Sequence, residues 1–128
     1  MFQGIHHIAI ICSDYAFTRD FYTGILGFPI VSEHYRAERQ SHKLNVRLPD
    51  GAELEIFSFP NPPSRVTNPE ACGLRHLALS VKDLDGVITH LVAHNIVVEP
   101  IRIDEYTNRR FTFFKDPDGL PIELYEAS

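Results

Sequence analysis

The sequence predicts an α+β fold made of two tandem βαβββ modules. Three observations carry that prediction: an internal repeat at an offset of 68 or 69 residues, a strand-then-helix pattern opening each copy, and a Pro-Asp-Gly turn near the end of each copy. Ile5-His6-His7-Ile8-Ala9-Ile10 matches Leu74-Arg75-His76-Leu77-Ala78-Leu79, and an aspartate, Asp14 or Asp83, follows each matched histidine by seven residues. Leu48-Pro49-Asp50-Gly51 matches Asp116-Pro117-Asp118-Gly119, and four residues beyond each glycine stands a glutamate, Glu55 or Glu123. Four matches in one order at nearly one offset indicate two diverged copies of a single unit.

Each element has a local reason. The opening runs alternate and carry β-branched residues, so they read as strands. Asp14 and Asp83 are helix N-caps, whose carboxylates accept from backbone N–H groups two or three residues on. In the first copy Phe17, Phe21 and Ile25 fall on one helical face, and Gly27 supplies the left-handed residue that ends the helix. In the second copy Leu84, Val87, Ile88, Leu91 and Val92 form the apolar stripe and Asn95 takes the ending role. Strands are then predicted over 28–33, 43–48 and 52–59, and over 97–103, 110–114 and 121–125. The Pro-Asp-Gly turns close the last two strands of each copy into hairpins. Module one spans about 1–59, module two about 73–128, and together they form one domain. The connector 60–72 holds four of the nine prolines without periodicity and reads as a semi-rigid link.

Composition narrows the function. The chain has 128 residues, a net charge of −5 and only 12 Lys+Arg against 17 Asp+Glu, so the basic footprint of a nucleic-acid binder is missing. The longest apolar run, Ile8 to Cys12, is far short of a membrane span. No basic segment precedes an apolar stretch after Met1, and Cys12 and Cys72 form no disulfide framework; a reduced, cytoplasmic protein is expected.

The chemistry sits at repeat-equivalent points. His7 and His76 lie on the two opening strands, Glu55 and Glu123 on the two closing strands. Pseudo-twofold symmetry between the modules would let the four side chains converge. Two imidazoles and two carboxylates suit one divalent first-row ion: nickel, cobalt, zinc, manganese or iron. On an octahedral ion they leave two positions for water or substrate oxygens, whereas a closed structural zinc site leaves none. A single strand histidine is more often structural than a ligand; the repeat is what singles these two out. His6 is expected on the opposite strand face from His7. Glu53 shares a face with Glu55, but its repeat partner is Pro121, which has no donor atom to offer. His90 and His94, at i and i+4, lie about 100° off the apolar stripe and read as a solvated face. Arg36, Arg39, Arg47, Arg109 and Arg110 are candidates to anchor an acidic substrate, with no single one standing out.

These residues resemble the vicinal oxygen chelate superfamily, which includes glyoxalase I, bleomycin- and fosfomycin-resistance proteins, methylmalonyl-CoA epimerase and extradiol dioxygenases. The likeness covers essentially the whole chain. It is carried most specifically by His7 with Asp14, by Phe21-Tyr22 with Leu26-Gly27-Phe28, by Gly73 to Val81, and by Phe114 to Gly119 running into Ile122-Glu123-Leu124. The resemblance implies curled mixed sheets around a metal cleft, a homodimer, a small-molecule substrate and one divalent ion per site. His7, Glu55, His76 and Glu123 reproduce the His, Glu, His, Glu ligand order of bacterial glyoxalase I. By the same resemblance Glu123 or Glu55 is the base that removes a proton α to a carbonyl while the ion acts as Lewis acid. Ile11 and Phe59 stand where glyoxalase I carries the arginine and asparagine that contact glutathione, so the standard glutathione hemithioacetal is not the expected substrate. An epimerase, and a module that sequesters a small ligand or metal without turnover, are the alternative readings.

Overall fold

The computed structural model describes residues 1–127 and divides into two compact units, 1–64 and 65–128, with the boundary inside the predicted connector. In the first unit the order is β1 (His7–Cys12), α1 (Tyr15–Asp20), β2 (Ile30–Arg36), β3 (Ser41–Arg47) and β4 (Glu53–Ser58). In the second it is β5 (Leu77–Val81), α2 (Leu84–Ala93), β6 (Arg102–Ile103), β7 (Arg110–Lys115) and β8 (Pro121–Glu126). The predicted βαβββ order therefore holds twice. The sheets have the same mixed topology, β1-β4-β3-β2 and β5-β8-β7-β6, in which each opening strand runs parallel to its closing strand. The register repeats as well: Ile8 faces Leu54 and Ala9 faces Glu55, as Leu77 faces Ile122 and Ala78 faces Glu123. Among the described residues no helix is long and apolar enough to cross a membrane.

The predicted caps form. Asp14 accepts from the Phe17 N–H at 3.1 Å and Asp83 from the Gly86 N–H at 3.0 Å, each meeting one of the helix's orphan donors. Asn95, at φ 62°, ends α2 with the paired bonds Asn95 N–H to Val92 and Ile96 N–H to Leu91, both 3.0 Å. Gly27 takes φ 75° after a π-helical turn, Phe21–Ile25, that extends α1. The buried face of α1 is rotated from the expected one toward Thr18 and Tyr22, still at i, i+3, i+4 spacing. Thr18, Phe21 and Tyr22 are buried, whereas Phe17, expected on the apolar face, is 62% exposed. On α2, Leu84 and Leu91 are buried but Val92 is exposed.

Both Pro-Asp-Gly turns form: Gly51 and Gly119 adopt φ 95° and 87°, and Leu48–Ala52 and Asp116–Leu120 close the hairpins. The expected strand 97–103 is reduced to Arg102–Ile103. Glu99 still donates its N–H to Phe113 at 3.0 Å, but Pro100 has no N–H and breaks the ladder between them.

On the closing strands one face is core and the other carries the site. Leu54 and Ile56 on β4, like Ile122 and Leu124 on β8, are buried, while the alternating Glu55 and Glu123 face the other way and stay partly open. The buried set of the first unit adds Leu44, Val46 and Tyr22; that of the second adds Phe114 and Leu84.

Candidate functional site

Within the first unit, His7 Nε2 lies 3.5 Å from Glu55 Oε1. Within the second, His76 Nε2 lies 3.3 Å from Glu123 Oε1. Each predicted histidine thus meets the predicted glutamate of its own module. Among the described residues no group of three His, Cys, Asp or Glu is gathered that would hold an ion; each unit supplies a pair. The separations fit two donors on one ion. Atoms about 2.1 Å from a metal and subtending roughly 90–115° stand about 3.0–3.5 Å apart. Imidazole nitrogen with carboxylate oxygen is also the donor chemistry of first-row divalent ions. Both glutamate side chains are 14% exposed, and the histidines remain more open, at 41% for His7 and 27% for His76.

The surroundings of the two pairs differ. Asn45, on β3 opposite Glu55, donates its side-chain N–H groups to Glu53 at 3.0 Å and to Glu55 Oε2 at 3.1 Å. Two carboxylates on one amide fix which way that amide points. Lys43 Nζ stands 3.8 Å from the same Glu55 oxygen. Glu55 is therefore held through Oε2, with Oε1 turned to His7. Glu53, weighed as a rival ligand, is engaged by Asn45 and by Arg47 at 3.2 Å, and these two bonds hold its carboxyl below the ordinary glutamate range. Around Glu123 the corresponding position is Phe113, whose ring meets His76 edge-on at 5.1 Å. Among the described residues Glu123 Oε2 has no hydrogen-bond partner.

His6 corrects the expectation that it would point away from His7. Its Nδ1 is 2.9 Å from His7 Nδ1, and the rings meet edge to face. The strand begins only at His7, so the alternation of a pleated strand does not govern the residue before it. A contact at Nδ1 turns the other ring nitrogen, Nε2, toward Glu55, the kind of outer contact that orients a ligating imidazole. His90 and His94 are exposed, their rings 4.5 Å apart on α2, as expected of a solvated face.

A hollow of about 760 Å³ opens in the second unit beside His76 and Glu123. Its wall includes Phe111, Phe113 and Arg102, none of which was singled out by sequence. The five arginines proposed as anchors lie elsewhere. Arg110 is bound to Glu126 at 2.6 Å and to Asp85 at 3.0 Å, tying β7 to β8 and α2; Arg47 is bound to Glu53; Arg36, Arg39 and Arg109 do not line the hollow. Asn45 and Phe113 were legible in principle, because the repeat offset places them opposite the two glutamates. Nothing in the sequence marks His6.

Comparison with known proteins gives one family model, described as Glyoxalase/Bleomycin resistance protein/Dioxygenase superfamily, matching residues 4–124. An uncharacterized protein of Escherichia coli (strain K12), YaeR, is 57% identical over 122 residues, 95% of each chain. A glyoxalase family protein from Enterococcus faecalis superposes with a TM-score of 0.91 at 46% identity, covering 98% of both chains. A mutant of the fosfomycin resistance protein FosX from Listeria monocytogenes, solved with Mn(II) and a dihydroxypropylphosphonic acid, shares the fold at a TM-score of 0.77 and 20% identity, covering 100% of this chain and 95% of that one.

Proposed function

Because the chain belongs to the Glyoxalase/Bleomycin resistance protein/Dioxygenase superfamily, we propose that it is a metal-dependent enzyme of the glyoxalase I-like lyase and isomerase type. It acts α to a carbonyl of a small substrate with two adjacent oxygens. The observation that carries this reading is the pair of matched His–Glu contacts, 3.5 and 3.3 Å, at the same register in both modules. His7, Glu55, His76 and Glu123 are the four residues that would hold one divalent ion, as two halves of one ligand set. The bound ion would supply Lewis-acid polarisation of the substrate's oxygens.

The two carboxylates then divide the work. Glu55, held by Asn45 and Lys43 through Oε2, is a fixed ligand. Glu123 meets His76 through Oε1, and its Oε2 accepts no hydrogen bond among the described residues. With the Arg75 charge nearby and Phe113 beside that histidine, it is the carboxylate left to turn toward the substrate and take its α-proton. Such a base contributes roughly 10²- to 10⁴-fold to rate. Ile11 is exposed on β1 and Phe59 stacks on Phe57, so neither offers a side-chain hydrogen bond, which argues against the standard glutathione hemithioacetal. A small-molecule substrate and a second copy of the chain are the partners this reading takes, with no nucleic acid and no membrane.

The test is exchange of a substrate α-proton with solvent deuterium, followed by NMR across a panel of 2-oxoaldehyde adducts and acyl-CoA thioesters. Metal-loaded wild type should wash the proton out of at least one compound, and Glu123→Gln should lose that exchange while keeping its fold and metal. Exchange at the wild-type rate in Glu123→Gln would remove Glu123 as the base. Metal binding without exchange anywhere in the panel would favour sequestration over turnover.

A further inference from the structure

The walls around the two His–Glu pairs are built differently on one backbone plan. At equivalent positions the first unit carries Lys43, Asn45, Glu53 and Phe57, and the second carries Phe111, Phe113, Pro121 and Tyr125. The hollow beside His76 and Glu123 thus has an aromatic floor. Arg102 stands over this aromatic pair, whose rings meet edge to face, with its guanidinium carbon 5.1 Å from the Phe111 centroid and 5.4 Å from the Phe113 centroid. One N–H of Arg102 Nη2 reaches Glu99 at 3.0 Å; among the described residues its remaining donors have no hydrogen-bond partner. The other arginines of the hollow are occupied. Arg65 donates to the Leu74 and Arg75 carbonyls at 2.8 and 2.9 Å, and Arg75 is bound to Glu70. Of the acidic residues of the wall, Glu70 is engaged by Arg75, Glu99 by Arg102, Glu123 by His76, and Asp104 by the Tyr125 hydroxyl and the Tyr106 N–H, whereas Glu105 makes no ion pair among the described residues.

We propose that Arg102, held beside Phe111 and Phe113 by cation–π contact, is the specificity-determining residue of a subsite for the anionic head of an amphipathic substrate. The inference rests on the reading of this hollow as the place where substrate meets His76 and Glu123. A guanidinium held over aromatic rings by cation–π attraction keeps N–H groups for a ligand, and its fork matches the two oxygens of a carboxylate or phosphate. His76 packs on the same Phe113 ring as Arg102, so an anion held by Arg102 directs the rest of the molecule along the aromatic floor to the reacting pair. Val66, Leu74 and Ile103 in the lining suit an apolar body, and about 760 Å³ accommodates a small organic ligand. The substrate class is therefore a small apolar molecule with one carboxylate or phosphate end and a carbonyl at the other.

The experiment is an NMR titration of the isotope-labelled full chain, kept metal-free with chelator, using benzoate, phenylphosphonate, benzyl alcohol and benzylamine as probes. Benzoate or phenylphosphonate should shift the amides of β6 and β7, and the tighter of the two identifies the head group. Benzyl alcohol and benzylamine should bind at least several-fold more weakly. Arg102→Gln should weaken the anions about tenfold, and Arg102→Lys, which keeps charge but loses the fork, should fall between. Arg102 is half exposed on an edge strand, so both variants are expected to fold. Benzylamine binding as tightly as benzoate, or Arg102→Gln binding benzoate like wild type, would overturn the proposal. So would a failure of both anions to shift β6 and β7. Because no metal is present, none of these results depends on whether the four-ligand set is correct.

Discussion

Replacing His76 by alanine is the sharpest perturbation of the proposed ligand set. If the two His–Glu pairs serve one ion, removing one donor from either pair weakens the same site; if each pair acts alone, half of the metal survives. The expected size follows from ligand linkage. With free ion at one hundred times the wild-type Kd, binding stabilises the folded chain by about 2.7 kcal/mol. A chain of 128 residues unfolds with an entropy of about 270 cal/mol/K, at roughly 2.1 cal/mol/K per residue, so the melting temperature should rise by about 10 °C. A variant binding one hundred times more weakly at the same ion concentration gains only about 0.4 kcal/mol, or about 1.5 °C. The assay is elemental analysis plus thermal melting of chelator-stripped protein reloaded with nickel, cobalt, zinc or manganese. Wild type should hold one ion for each four-residue set and show the full shift. His76→Ala and His7→Ala should each lose most of the metal and of the shift, and the double variant should lose little more. A wild-type chain that binds none of the ions would refute the reasoning. So would His7→Ala and His76→Ala variants that each keep half of the metal while the double variant loses all of it, since the pairs would then be separate.

Three further outcomes follow, one from a neighbour of those pairs and two from ion pairs elsewhere in the units. Asn45→Ala removes the donor shared by Glu53 and Glu55 and should weaken metal affinity by about 10- to 100-fold, read by competition with a chromogenic chelator; unchanged affinity would show that Asn45 does not hold Glu55 in place. Acid sensitivity should track Glu126 and Glu33, whose carboxyls are held below the ordinary glutamate range by Arg110 and by Arg19 with Tyr15. A depressed folded-state pKa gives stability that is complete above the unfolded value and lost as pH falls through the folded one, so the loss belongs below the ordinary glutamate range. Arg110→Ala should flatten that acid limb in urea melts at several pH values, and an unchanged limb would assign the acid loss elsewhere. At the other end Tyr15, pushed up by burial and by Glu33, contributes stability that is present below the ordinary tyrosine value and lost as pH rises above it.

The fold was legible because its signals are local and occur twice. A carboxylate that caps a helix, an asparagine or glycine that takes the left-handed position, and a Pro-Asp-Gly turn each act within four or five residues, so a sequence window contains the whole cause. The pairing of His7 with Glu55 and of His76 with Glu123 was legible for another reason, since the repeat supplied the long-range information a single strand lacks. What escaped lies where local rules end. His6 stands one residue outside its strand, and the buried face of α1 runs through the polar Thr18 and through Tyr22, leaving the more apolar Phe17 outside it. Pro100 cut a strand whose apolar pattern was otherwise sound. Arg102 gained its place only through register, because its partner Phe111 is fixed by the β6–β7 pairing and not by anything adjacent in sequence.

Under the proposed function, the duplicated plan also gives two like pairs a way to do unlike work. Backbone register delivers a histidine and a glutamate to the same geometry in each module, within 0.2 Å. The residues beside them are then free to differ, because they stand on the open face and the buried rows, Leu54 and Ile56 or Ile122 and Leu124, keep the sheet in place without them. In the first module that freedom put an amide and an ammonium on the glutamate, which favour one fixed carboxylate. In the second it put aromatic rings and the Arg102 guanidinium there, which would favour an apolar ligand with an anionic end and give the glutamate no donor to match Asn45. A ligand set needs only the pairs to be alike, whereas a reaction needs one carboxylate that stays and one that moves. The divergence of Asn45 from Phe113 provides that difference on a single repeated scaffold.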